Sequence, residues 1–254
     1  MINDLSKLKK KYISLGLKKG QNLYITSDFK KMINKKNYKE ILANHFNVIK
    51  SIIGSSGTII VPTATTYLCN TKKVFDLKNT PSRNMGIFSE YVRKKIGSKR
   101  SMHPIWSVSA FGKLSNYFTA NISKHSFGHD SIWTRLINKN AWSLHIDIDP
   151  RKSLSIIHYG EFMVGVPHRF TKEFNQFVRF NGKKKEIKFY HFCLFSEQKF
   201  VKDGNKKIFK NFLKYYKPRK IFLEKKISLT LLPLKKFHDI NLIYLNRNRK
   251  AWLK

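Results

Sequence analysis

A histidine and a glutamate stand three residues apart, at His158 and Glu161, in the run His-Tyr-Gly-Glu. Side chains at this spacing share one face of a helix. There the carboxylate can orient the imidazole, which then takes a proton from an attacking nucleophile as a general base. The same spacing also occurs in surface or core pairs that do no chemistry. The pair is therefore a candidate catalytic site, and its neighbours decide between these two interpretations.

A second polar run lies upstream, from Arg100 to Ser107, and reads Arg-Ser-Met-His-Pro-Ile-Trp-Ser. Its two serine hydroxyls could donate hydrogen bonds to an acyl oxygen, and Arg100 could neutralise phosphates. His103 precedes a proline on a rigid turn, where it could line a substrate channel or simply pack. Ordinary loop serines and a solvated basic face are the alternative interpretation. No Gly-x-Ser-x-Gly elbow occurs, so the run is not a serine hydrolase signature.

Asp147 and Asp149 form the one carboxylate pair whose spacing could suggest a metal site. Hard cations need six or more oxygen ligands, and two carboxylates without further ligands fall short of that. Cys69 and Cys193 form no metal-type spacing either. We therefore expect no metal.

Strands and helices alternate in the pattern of the chain, which predicts an α/β sheet. Ligands in such sheets gather at the carboxyl ends of strands, where Asp147 and Asp149 are expected. The first part of the chain favours strands at Asn22–Ser27, Gly57–Val61, Ser107–Phe111 and Trp142–Ile148, helices at Tyr38–Ile53, Gly86–Lys95 and Ser131–Ile137, and a long loop at Thr63–Arg83. The tail favours strands at Lys188–Phe195 and Lys220–Leu223 with a helix at Lys206–Tyr216 between them. Without a repeat or a low-complexity linker, residues 1–254 are interpreted as a single domain.

The composition is that of a folded, strongly basic protein. Of 254 residues, 41% are hydrophobic, and 51 Lys and Arg face 15 Asp and Glu, for a net charge of +36. Two cysteines are too few for a disulfide framework, the first residues do not form a signal peptide, and no run approaches the roughly 20 apolar residues of a membrane span. These features predict a cytoplasmic protein.

Two explanations of the charge stay open. A nucleic acid or an anionic membrane surface would attract such a chain, while an A/T-rich genome would enrich lysine without any binding role. Lysines scatter through every predicted element, which favours the second explanation over a dedicated nucleic-acid motif. Residues 171–254 are nevertheless denser in charge, with 23 basic and 6 acidic side chains over 84 positions.

Taken in order, several segments resemble the aminoglycoside 3-N-acetyltransferase (antibiotic N-acetyltransferase) family. The most specific is the Arg-Ser-x-His-Pro-x-x-Ser run, followed by a Gly-x-x-Ser-x-Trp segment and then the His-x-x-Glu pair. The resemblance is carried by Leu15–Ser27, Gly57–Thr63, Arg100–Ser107, Ala110–Gly112, Gly128–Trp133 and His158–Glu161. It spans about residues 10 to 170.

This resemblance implies an α/β fold with a central mixed sheet flanked by helices, and a divergent C-terminal α/β extension over residues 171–254. It also implies a cytosolic enzyme that transfers an acyl group from acetyl-CoA, or another acyl-CoA, to an amine of an amino sugar. His158 is the implied general base, and Glu161 holds its ring. The implied acyl-CoA contacts are Ser27, Arg100, Ser101, His103 and Ser107, and the implied acceptor contacts are Asp76, Asp147 and Asp149. One departure is Leu154-Ser155, where the family usually shows Asn-Thr, and it affects the acceptor contacts more than the catalytic pair.

The net charge bears on the acceptor, because polycationic aminoglycosides prefer an acidic cleft. A chain with this excess of lysine suits an anionic amino sugar better, such as a nucleotide-linked or lipid-linked precursor of a surface polysaccharide. The alternative is a family member that has lost catalysis and binds an anionic partner, either a membrane surface or nucleic acid.

Overall fold

The computed structural model describes residues 4–197, 210, 216, 218–223 and 226–253. Seven strands form one mixed sheet in the order β3-β4-β2-β1-β5-β9-β8, and β6 and β7 form a separate hairpin. The strands are β1 (Asn22–Ser27), β2 (Thr58–Pro62), β3 (Lys99–Arg100), β4 (Val108–Gly112), β5 (Trp142–Ile146), β6 (Arg169–Phe180), β7 (Lys183–Leu194), β8 (Arg219–Leu223) and β9 (Ile227–Pro233).

The parallel strands at the centre of the sheet end along one edge, which we call the functional edge because ligands of such sheets bind there. Strand β1 runs parallel to both β2 and β5, whereas β4 and β9 are antiparallel to their neighbours. The carboxyl ends of β1, β2 and β5 therefore meet the start of β4 at one edge. The loop from Arg100 to Ser107 leads into β4, so it lies at this edge, as does the segment that follows β5.

Helices cover both faces because side chains alternate along the strands. Leu23 and Ile25 pack on one face with α1, α2 and α3, and Tyr24 packs on the other with α4, α5, α7 and α8. The helices are α1 (Leu5–Leu15), α2 (Tyr38–Ile53), α3 (Ile87–Lys94), α4 (Ser115–Thr119), α5 (Ile132–Asn138), α6 (Pro150–Ser153), α7 (Ile156–Val164) and α8 (Leu234–Arg247). Within the described ranges, no helix is long and apolar enough to cross a membrane.

The predicted α/β class, with a mixed sheet between helices, is confirmed. The predicted bounds of β1 and α2 are those observed, and β2, α3, β4, α5 and β5 lie within two residues of their predicted ends. The strand predicted at Lys188–Phe195 is the second half of β7, and its partner β6 was not predicted. The helix predicted at Lys206–Tyr216 falls outside the described residues apart from single positions.

The C-terminal part of the chain is built into the sheet. Strand β9 pairs with β5 from Trp142↔Pro233 to Ile146↔Leu229, and β8 extends the sheet beyond β9. Helix α8 then packs against α7 on the face that holds Tyr24. The described part of this region thus supplies two strands of the sheet and supports the helix that carries His158.

Candidate active site

His158 lies in the first turn of α7, close to the functional edge of the sheet. Its Nδ1 is 2.8 Å from Glu161 Oε2, one helical turn further on. Glu161 is fully buried, while the His158 side chain retains 21% of its exposure. The sequence expectation that these two side chains meet on one helix face is therefore met by the geometry.

Two further residues hold the same carboxylate. His168 Nε2 is 2.9 Å from Glu161 Oε1, and Arg169 Nε is 2.9 Å from Oε2. His168 follows the end of α7, and Arg169 begins β6. Sequence reasoning missed both roles, and the only available signal was a His-Arg pair just after the helix end.

These contacts set the protonation of His158 and Glu161. Burial alone would raise the pKa of Glu161, but the bonds from His158 and His168 and the Arg169 charge outweigh it, so this pKa lies below its usual range. Burial lowers the pKa of His158 below 6.5 despite its bond to Glu161, and Arg169 adds to this effect. At neutral pH, Glu161 is therefore ionised and His158 is a neutral imidazole that can accept a proton.

An aromatic wall borders His158. The ring of Phe127 meets that of His158 edge-on at 5.7 Å and packs against Trp106 and Trp133 at 5.4 Å and 6.1 Å. His191, from β7, contacts the same Phe127 ring at 5.6 Å. Five parts of the chain thus converge here: the loop before β4, the loop before α5, α5 itself, α7 and the β6–β7 hairpin.

A buried hydrogen-bond chain supports this wall. Trp106 N donates to His103 Nδ1, and Ser126 Oγ lies 3.5 Å from His103 Nε2 and 2.9 Å from His191 Nδ1. Burial lowers the pKa of His103 to about 3 and that of His191 to about 4, so both are neutral. His103 is nearly inaccessible and takes part in this hydrogen-bond chain. His191 was missed by sequence reasoning because it lies beyond the segments that carry the family resemblance.

The polar residues predicted to contact acyl-CoA hold the loop before β4 in place. Arg100 donates to the carbonyls of Thr80 and Thr63 and to Ser107 Oγ. Ser101 Oγ accepts from Val108 N, and Ser107 Oγ donates to Thr63 O. Their role toward acyl-CoA stays a prediction.

Ser27 differs from these residues. It ends β1 at the functional edge, and within the described part of the chain its buried Oγ has no hydrogen-bond partner. A Cβ at Gly86, just before α3, would lie 3.0 Å from Ser27 O. The glycine thus keeps the start of α3 close to Ser27, whose role toward acyl-CoA stays a prediction.

The three predicted acceptor carboxylates each have a cationic partner. Asp147 pairs with Lys31 at 2.9 Å, and Asp149 caps α6 while binding Arg151 at 2.5 Å. Both lie just after β5, at the edge expected for a ligand. Asp76 lies elsewhere.

Asp76 is 3.4 Å from Arg179, which stands ten residues along β6 from Arg169. Strand rise puts roughly 30 Å of chain between Arg179 and Arg169, which binds Glu161. The structure therefore does not bring Asp76 to His158 and Glu161.

Among the described residues, no group of three or more His, Cys, Asp or Glu side chains could hold a metal ion.

Comparison with known proteins gives a family match and several similar folds. The family model described as "Aminoglycoside 3-N-acetyltransferase" matches residues 27–228. The structure of AAC-IIIb in a binary complex with CoASH has a TM-score of 0.82 at 17% identity, covering 96% of each chain. AAC-VIa bound to sisomicin has a TM-score of 0.82 at 15% identity, covering 96% of this chain and 97% of its own. YokD from Bacillus subtilis has a TM-score of 0.78 at 18% identity, covering 96% and 99%. No curated protein matches by sequence.

Proposed function

Because this chain belongs to the aminoglycoside 3-N-acetyltransferase family, we propose that it is a coenzyme A-dependent N-acyltransferase with His158 as its general base. One observation carries the proposal: a partly exposed, neutral imidazole bound through Nδ1 to a fully buried, ionised glutamate. This pair can accept a proton without first losing one. The AAC-IIIb complex with CoASH supports acyl-CoA as the cosubstrate.

The reaction follows from the tautomer that Glu161 selects. Its carboxylate accepts the Nδ1–H of His158, which leaves the lone pair on Nε2. As the acceptor amine attacks the thioester carbonyl, the new C–N bond forms and Nε2 takes the proton that the amine loses. The C–S bond then breaks, and the imidazolium returns this proton to the departing thiolate. The products are an amide and free coenzyme A, and the imidazole is neutral again.

Acyl-CoA binding is proposed along the functional edge of the sheet. Ser27 supports this position with a hydroxyl that lacks a partner in the described residues. Arg100, Ser101 and Ser107 support it by bracing the loop that leads into β4, and His103 by bracing the aromatic wall beside His158. The proposed acyl group is acetyl, and the proposed compartment is the reducing cytoplasm.

The acceptor is proposed to be an anionic amino sugar, nucleotide-linked or lipid-linked, rather than an aminoglycoside drug. The two acids at the functional edge, Asp147 and Asp149, are already paired with Lys31 and Arg151. A polycation would have to displace these partners, whereas an anionic group meets a chain of net charge +36. The alternative of a catalytically inactive binding module receives no support from the pair, whose contact is intact.

The test follows thiol release from acetyl-CoA with free amino sugars, nucleotide-linked amino sugars and aminoglycosides as acceptors. We expect turnover with the anionic class of acceptor. The rate of thiol release should fall by at least about 100-fold in His158→Ala. Efficient turnover of aminoglycosides alone would overturn the proposed acceptor class but support the proposed acyltransferase activity. No thiol release with any acceptor, together with no calorimetric binding of coenzyme A, would overturn the proposed acyltransferase activity.

A further inference from the structure

The β6–β7 hairpin is an arm with a defined free end. Its strands pair residue for residue from Arg169↔Leu194 to Phe180↔Lys183. The turn between them is Asn181-Gly182, with φ of 48° and 76°, which matches the mirror-image turns that fit twisted hairpins. Backbone bonds between Phe75 and the strand at Phe177 and Arg179 attach the arm to the body up to that point. Beyond it, the residues around the turn are exposed.

This free end, which we call the hairpin tip, holds Phe180, Lys183, Lys184 and Lys185, and Phe177 lies at its base beside the attachment to Phe75. None of the three lysines forms an ion pair with an acid in the described residues. By contrast, neighbouring Arg179 binds Asp76 and also donates to Gly182 O. The tip lysines therefore remain available to a partner.

The two phenylalanines are held beside these charges. Lys184 Nζ lies 4.0 Å from the centre of the Phe177 ring, and Lys185 Nζ lies 5.6 Å from that of Phe180. Phe180 is 45% exposed. An exposed ring beside unpaired lysines combines the two features that an anionic lipid interface attracts.

We propose that the hairpin tip docks this protein onto an anionic lipid surface. Clustered lysines are attracted to anionic headgroups, and an exposed aromatic ring sits favourably at the boundary between headgroups and acyl chains. The tip is also remote from the reaction site, because about eleven residues of strand, roughly 35 Å, separate Phe180 from Arg169 at the base of the arm. Docking at the tip leaves the surroundings of His158 accessible.

The placement of the two rings favours lipid over single-stranded nucleic acid. Phe177 and Phe180 are three positions apart on one strand, so they project from opposite faces of the hairpin. Nucleic acid is bound by rings that line one groove, on which successive bases stack. A protruding tip with rings on both faces forms no such groove but can enter a lipid interface.

The experiment measures binding of the full chain to vesicles of phosphatidylglycerol and phosphatidylcholine by co-sedimentation. Replacing Lys183, Lys184 and Lys185 together by alanine should weaken binding roughly 100-fold. The matched control replaces Lys35, Lys36 and Lys39, which are also exposed and outside the ion pairs of the described residues, and should change binding less than about fivefold. Phe180→Ser, which keeps every charge, should weaken binding several-fold and serves as an independent variant if the triple variant folds poorly.

Vesicles of phosphatidylcholine alone and a single-stranded DNA oligonucleotide complete the comparison. The proposal is overturned if the wild-type chain ignores anionic vesicles, if both lysine triples weaken binding equally, or if the tip lysines govern DNA binding instead. Loss specific to the tip variants and to anionic vesicles supports it. This readout needs no catalysis, so it does not depend on the proposed function.

Discussion

At the scale of single residues, the buried carboxylate of Glu161 connects three side chains from α7 and the segment that follows it. His158 shares its helix, while His168 and Arg169 come from the segment that follows. An uncompensated charge in such a place is costly, because a buried ion needs partners for its lost hydration. The carboxylate is thus fixed on several sides, and its position fixes the imidazole that we propose as the general base.

The assigned roles predict unequal effects for the two members of the pair. His158→Ala should lower kcat/KM for thiol release by about 100- to 10,000-fold, because the proton acceptor is gone. Glu161→Gln should cost less, since an amide oxygen can still accept the Nδ1–H of the ring. Circular dichroism checks that both variants fold. A larger loss in Glu161→Gln than in His158→Ala would show that the roles are wrongly assigned.

The acid side of the pH profile should depend on His168. The pKa of His158 lies below 6.5. We therefore expect kcat/KM to stay level down to pH 6.5 and to fall at lower pH, where the ring becomes protonated. His168 lowers the pKa of His158 and shares its carboxylate. His168→Leu should therefore move the acid limb to higher pH, and His168→Gln, which keeps an N–H donor for Glu161, should move it less. Superimposable profiles for all three proteins would contradict this positioning role.

At the scale of elements, α7 is held against α8 by an unusually close contact. A Cβ at Gly160 would overlap Asn241 Nδ2, so only glycine fits there without a shift. The same Nδ2 donates to Ile157 O, and Asn241 Oδ1 accepts from Trp252 Nε1. The last described turn of the chain thus supports the backbone just before His158.

Gly160→Ala should destabilise the protein by about 1–3 kcal/mol, because the added methyl group overpacks this contact. It should also lower kcat, since α7 must shift. The control is the same change in an Asn241→Ala background, where the space exists. Urea unfolding should show that the two changes are strongly non-additive. Additive free energies of unfolding would mean that the two residues do not meet.

At the scale of the whole molecule, several buried histidines make stability depend on pH. Burial lowers the pKa of His103 and His145 to about 3, and that of His45, His191 and His238 to about 4. The unfolded chain binds protons below pH 6.5, whereas these folded sites bind them only near pH 3 to 4. Their contribution is therefore fully present above pH 6.5 and is lost as the pH falls from there toward 4.

The free energy of unfolding should accordingly fall steeply between pH 6.5 and 5. His45→Gln removes one of these groups and can retain a hydrogen bond to Tyr12, whose hydroxyl lies 2.6 Å from His45 Nδ1. This variant should flatten the slope by about 1.4 kcal/mol per pH unit. His129→Gln, the same exchange at an exposed site, is the control. Equal slopes in all three proteins would contradict the prediction.

Local patterns in the sequence determined β1, α2 and the contact of His158 with Glu161, because strand alternation, helical periodicity and an i,i+3 spacing depend only on neighbouring residues. The turn at Asn181-Gly182 is also a local signal and could have predicted the hairpin. Tertiary structure alone decided that β9 enters the sheet beside β5, that His191 reaches the aromatic wall, and that Asp147 pairs with Lys31. Each of these depends on pairing between residues distant in the chain, and such pairing is selected by the packing of the whole core.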